Sequence, residues 1–141
     1  MAYSQYMANN LQALMVTQTN MPAAPAVLYL ALHTADPTKT CAIGEVVGNG
    51  YARTAITFAA QTTAQSEDVE NAAAVIFPTA TGTDPLPITH YSIWDAATAG
   101  NAYFYGTLDA SVAWNLGGAV AFSIAALKKQ FVTVPVVSFT V

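Results

Sequence analysis

Few side chains in this sequence are of types that do chemistry, and they are best taken first. His90, Ser92 and Asp95 come closest to a catalytic set, because residues two apart on a strand share a face and Asp95 would stand at the strand's end. Alternation places His90 and Ser92 about 7 Å apart along such a strand, out of hydrogen-bond reach without a bend. No glycine elbow exposes the serine as a nucleophile. Glu67, Asp68 and Glu70 form the one carboxylate cluster. Such a cluster can bind Ca²⁺ or act as a glycosidase pair, but the glycine-containing ligand loop of an EF-hand is missing, so a polar loop solvating its own charges is expected. Cys41 has no basic neighbour in sequence to lower its pKa and is expected as an inert buried or edge thiol. Gly44 to Gly50 resembles a phosphate cradle only superficially, since it lacks Gly-Lys-Ser/Thr and leads into a strand rather than a helix. The expectation is no catalytic residue, no metal site and no cofactor.

The composition narrows the partners. Of 141 residues, 54% are hydrophobic and 9% charged, against the quarter or so typical of soluble domains. Lys39, Arg53, Lys128 and Lys129 are the only cations and the net charge is -4, so no basic patch can neutralise a run of phosphates and nucleic acid is excluded as a partner. One cysteine excludes an internal disulfide, and two histidines, His33 and His90, supply at most half a zinc shell. Met1 to Tyr6 lacks the basic and apolar regions of a signal peptide. The most apolar windows, residues 23–32 and 119–127, are interrupted by Pro25 and Ser123 and are too short to span a membrane. An exterior so poor in charge is expected to be partly interface.

The elements that must carry these residues follow from periodicity. Tyr3, Met7, Leu11 and Leu14 recur at helical spacing, with Ser4 as N-cap, so the sequence predicts one amphipathic helix over 4–17 that ends before Pro22. An uncharged helix of this kind either packs on the core or docks another subunit. Beyond Pro25 the chain reads as short strands: 27–33, 52–58, 73–77, 88–94, 102–108, 119–124, 130–134 and 136–141, separated by Pro, Gly and Asp turns. With no helices between them they predict a mainly β fold, an antiparallel β-sandwich of jelly-roll or Ig-like type with one N-terminal α-helix. The expected division is a helix and arm at 1–22 and a single β-sandwich domain at 23–141. The expected core includes Leu28, Leu30, Ile56, Phe58, Val75, Phe77, Ile93 and Phe122.

Residues 27–108 also carry a resemblance. Leu28-Tyr29-Leu30-Ala31-Leu32-His33-Thr34-Ala35-Asp36-Pro37, Gly44-Glu45-Val46, Gly50-Tyr51-Ala52-Arg53, the run from Asn71 to Ala80, Ile88-Thr89-His90-Tyr91, Asp95-Ala96-Ala97-Thr98, Gly100-Asn101 and Tyr105-Gly106 stand in the order found in a widespread family of small tailed-bacteriophage virion proteins, which this chain resembles. Members are often labelled tail fibre proteins. The resemblance implies a virion component with other virion proteins as partners.

Two structural roles fit such a chain: a capsid decoration or cement subunit, the leading expectation because 141 residues hold one domain and no shaft, and a tail fibre or tail-tip module contacting the host surface. Either would bind through apolar surface and strand edges, as a dimer or trimer. The expected contacts are Tyr3, Met7, Leu11 and Leu14 on the helix, and Val136, Val137 and Phe139 in the last strand. Arg53, the only arginine, is expected either in an internal pair with Glu45 or Asp95 or in a partner contact.

Overall fold

The computed structural model describes residues 1–59 and 68–130. The fold is mainly β, with antiparallel sheets and one N-terminal helix. Its main sheet has five strands: β1 (Ala2–Tyr3), β2 (Leu28–His33), β3 (Thr54–Ile56), β6 (Leu86–Trp94) and β7 (Ala102–Trp114), in the order β1-β7-β6-β2-β3. Two short ladders stand beside it among the described residues: β4 (Asp68–Glu70) with β9 (Lys128–Gln130), and β5 (Val75–Ile76) with β8 (Ala121–Phe122). Among the described residues the β structure outside the main sheet is two short ladders, not the full second sheet expected of a sandwich. Of the last two predicted strands, 130–134 and 136–141, all but Gln130, the end of β9, lies outside the described residues.

β2 holds a central position because both its faces are covered. Leu30 and Leu32 enter the core, while Ala31 and His33 on the opposite face are equally buried, which is why this strand reads as a nearly continuous apolar run. The core joins Leu30, Leu32, Ile88, Ile93 and Trp114 of the sheet to Val75, Phe77, Val120, Phe122 and Leu127 of the ladder region. Of the residues expected there, Leu28 and Phe58 pack against the core only partly buried. Asn71 anchors the ladders. It is wholly buried, its Nδ2 donates to the carbonyls of Ala73 and Ser123 at 2.8 Å each, and its Oδ1 accepts from the Leu127 amide at 2.9 Å.

The β6–β7 hairpin is irregular at two places. Between Ile88 and His90, two steps along β6 face five along β7, from Val112 to Thr107. That slip re-phases β6, so that Ile88 and Tyr91, of opposite parity, both enter the core. One step from Ile93 to Trp94 faces two along β7, from Phe104 to Ala102, which leaves Tyr103 as an unpaired bulge residue.

The helix begins as its sequence indicates. The Ser4 hydroxyl accepts from the Met7 amide at 3.1 Å and itself donates to the Ala102 carbonyl, tying α1 (Gln5–Gln12) to β7. The last turn, Ala13–Thr17, is a π-helix closed by Gln18 in left-handed geometry. No residue of α1 is fully buried.

Candidate docking surface

The apolar face of the helix does not lie flat on the core. Met7 and Leu11 form one wall of an open groove of about 520 Å³, extended by Met15. Met1, Tyr3, Leu28, Phe58, Val69 and Phe104 supply the remainder. The Tyr3 and Phe104 rings pack 5.5 Å apart at its base. None of these nine side chains is charged. Leu28, Phe58 and Phe104 also touch the core, so the groove is an opening of the hydrophobic core along the helix.

Three of the expected contact residues, Tyr3, Met7 and Leu11, are therefore brought together. Leu14 is not among the lining residues: the wider π turn keeps Met15, four residues beyond Leu11, in line and leaves Leu14 41% exposed beside it. Val136, Val137 and Phe139 lie outside the described residues.

Arg53 sits elsewhere, on the other face of the sheet, and its side chain is spent internally. Nε and Nη2 donate to the two carboxylate oxygens of Glu45 at 2.7 and 2.8 Å, and Nη1 donates to the carbonyls of Ala96 and Ala99 at 3.1 and 2.8 Å. The guanidinium lies 3.8 Å from the centre of the Trp94 ring. Of the two internal partners expected from sequence, the fold selects Glu45. Only 8% of the Arg53 side chain is exposed. Asp95 serves the hairpin instead: its carboxylate accepts from the Asn101 amide at 2.7 Å and from Asn101 Nδ2 at 2.9 Å.

The candidate catalytic residues are distributed otherwise than strand alternation alone suggests. His90 is paired with its neighbour Thr89 at 2.8 Å. The histidine that meets Ser92 is His33, across the β2–β6 ladder, with Nε2 2.7 Å from the serine oxygen. Because Nδ1 stands 2.7 Å from the Ile43 carbonyl, that nitrogen carries the proton and Nε2 accepts from the serine. Trp94 Nε1 donates to the same hydroxyl at 2.7 Å. Both His33 and Ser92 are completely buried, so this pair joins strands and is closed to any substrate. Burial pushes the His33 pKa down and the Cys41 thiol up to about 11. Burial also raises the Glu45 carboxyl, but the Arg53 hydrogen bond and charge outweigh it and hold Glu45 below its ordinary value. Sequence spacing carried no signal for the His33–Ser92 contact, since its partners are 59 residues apart.

Among the described residues no group of three or more His, Cys, Asp or Glu side chains is placed to hold a metal ion. No described helix is long and apolar enough to cross a membrane. Asp68 and Glu70 of the carboxylate cluster lie on β4, in register with Gln130 and Lys128, and Glu67 is outside the described residues.

No curated protein matches the chain. The family model described as Podophage GP4 fiber I protein gp80 matches residues 2–130, which takes in the helix, the main sheet, both ladders and every groove residue but Met1. The chain belongs to this bacteriophage fibre family, and is therefore a structural component of the virion.

Proposed function

We propose that the chain is a tail fibre module that contacts the host surface and is joined to further copies of itself through the apolar groove. The observation that carries this reading is membership of the fibre family over residues 2–130. That membership favours the tail over the shell, and the capsid decoration role expected from chain length yields to it.

Self-association through the groove follows from its chemistry. With no charged side chain among its lining residues, binding draws on apolar burial at about 25 cal/mol per Å² rather than on ion pairs, which contribute about 0 to 1 kcal/mol each when exposed. A helix that presents Met7, Leu11 and Met15 beside an open core meets the same surface of another copy in a symmetric dimer or trimer.

Sedimentation and particle labelling test the two parts. The purified protein should sediment as a dimer or trimer equally at low salt and at about 0.5 M salt, where the Debye length is about 4 to 5 Å. The double substitution Met7→Asp and Leu11→Asp should yield monomers with an unchanged circular dichroism spectrum. A monomeric wild type would remove the groove from assembly, and electron microscopy that finds the labelled chain on the shell would overturn the fibre reading.

A further inference from the structure

On the sheet face opposite the core, Tyr6 of α1, Tyr29 of β2 and Tyr103 of β7 line an open cleft of about 630 Å³ together with Asp95 and Asn101. We propose that this cleft is a binding site for a neutral saccharide, which deepens the host-contact reading above and rests on it.

The rings come from three separate elements and are gathered by a specific irregularity. Tyr103 is the extra residue of the bulge between Ile93 and Trp94, the kind of feature that re-aims a side chain out of the regular ladder. Its ring stands 5.6 Å from that of Tyr6. All three tyrosines are half-buried. A tyrosine offers an apolar ring for the C–H face of a pyranose and a hydroxyl for its edge. Asp95 adds acceptor oxygens and Asn101 both donor and acceptor, the complement a sugar's hydroxyl groups require. The volume lies within the usual range of small-ligand sites, about 300 to 1,000 Å³.

Charge selects within the class. The lining includes one carboxylate and neither lysine nor arginine, so an acidic sugar would meet repulsion without a counter-charge. The cleft is also preorganised, which lowers the ordering cost of binding. Asp95 clasps Asn101 at 2.7 and 2.9 Å, and Arg53 holds the loop from beneath through the Ala96 and Ala99 carbonyls. Pro22 and Pro25 stiffen the opposite wall and already place the chain's own prolines there, which disfavours a proline-rich peptide as occupant.

Titration of the full-length ¹⁵N-labelled protein with the methyl glycosides of glucose, galactose and N-acetylglucosamine, followed by NMR, tests the site. At least one should shift the amides of Ala96, Ala97 and Tyr103 saturably at millimolar concentration. Tyr29→Ala should weaken that binding about tenfold, equivalent to about 1.4 kcal/mol, while the groove variant Met7→Asp retains it. Should Tyr29→Ala fail to fold, Tyr103→Phe removes one hydroxyl alone and should weaken binding severalfold. Absence of shifts with all three glycosides, shifts mapping elsewhere, or shifts produced only by sialyllactose or a polyproline peptide would overturn the inference. Labelled protein applied to host cells separates the two readings. Glycoside binding without cell binding upholds the cleft and removes host contact, whereas cell binding that survives Tyr29→Ala upholds host contact and removes the cleft's part in it.

Discussion

Arg53 and Trp94 are stacked, guanidinium on indole at 3.8 Å, and the same guanidinium forks onto Glu45. The stack, the fork and the two carbonyl bonds fix the strand that enters through Tyr51, the bridge at Glu45 and the 96–100 loop to one side chain. Lysine cannot reproduce a planar two-point contact or the stack. Arg53→Lys should therefore destabilise the protein by about 1 to 3 kcal/mol, and Arg53→Ala by about 2 to 4 kcal/mol, since the latter leaves Glu45 half-buried without its partner. Urea denaturation followed by tryptophan fluorescence measures both, and equal stabilities for wild type and Arg53→Ala would remove the network from the stability of the fold.

Acid should loosen the protein in two stages. His33 is buried and its folded pKa lies below the ordinary 6.5, so the unfolded chain takes up a proton before the folded one does. Its contribution is complete above about pH 6.5 and is lost as pH falls from there through the folded value. Glu45, with a folded pKa below the ordinary 4.5, adds a second loss as pH falls below that value. The Tm should fall gently as pH drops below about 6.5 and more steeply below about 4.5. In His33→Gln the first of these declines should be absent, and a decline of unchanged size would assign it to another group.

Asn71 should be among the most sensitive polar positions. Alanine there leaves the Leu127 amide and the Ala73 and Ser123 carbonyls without their side-chain partner inside the core. An unsatisfied buried group costs about 1 to 3 kcal/mol, so Asn71→Ala should lose roughly 2 to 5 kcal/mol. Asn71→Asp should lose more, because its carboxylate would face two carbonyl oxygens. Thermal unfolding compares them, and a reversed order would mean that Nδ2 is not the critical donor.

Cys41 is 1% exposed and its thiol is pushed up to about 11, so iodoacetamide at pH 8 should modify it only after denaturant is added. Rapid modification of the native protein would show that the loop around Cys41 opens.

Some of this was legible in the residues themselves. Ser4 marked the helix start, and Leu30, Ile56, Val75, Phe77, Ile93 and Phe122 stand in the core where strand alternation places them. The reading stops where pairing between distant strands decides. Nothing local to His33 announces Ser92, and nothing near Arg53 chooses Glu45 over Asp95. The length of β7 was hidden as well, since Asp109-Ala110-Ser111 lies where five steps along β7 face two along β6 and ordinary alternation lapses. Leu14 and Met15 are equally plausible on a helix, and only the π turn selects Met15 for the groove. Tyr6, Tyr29 and Tyr103 belong to three elements and share no spacing at all.

The reach of the Ser4 and Asn71 contacts bears on the order in which a ribosome can release this fold. Ser4 caps the helix from the first residues made, yet its hydroxyl waits 98 residues for the Ala102 carbonyl. Asn71 waits a further 56 for Leu127, which at about 5 to 20 residues per second is roughly 3 to 11 s of synthesis. For part of that interval the nascent chain carries the apolar strand Leu28–His33 without its partner at His90–Trp94, and for most of it Val75–Ile76 without Ala121–Phe122. With so few charges to keep those strands apart, neighbouring chains on one messenger are the nearest surfaces available to them, and early encounter between copies is as open to this sequence as premature aggregation.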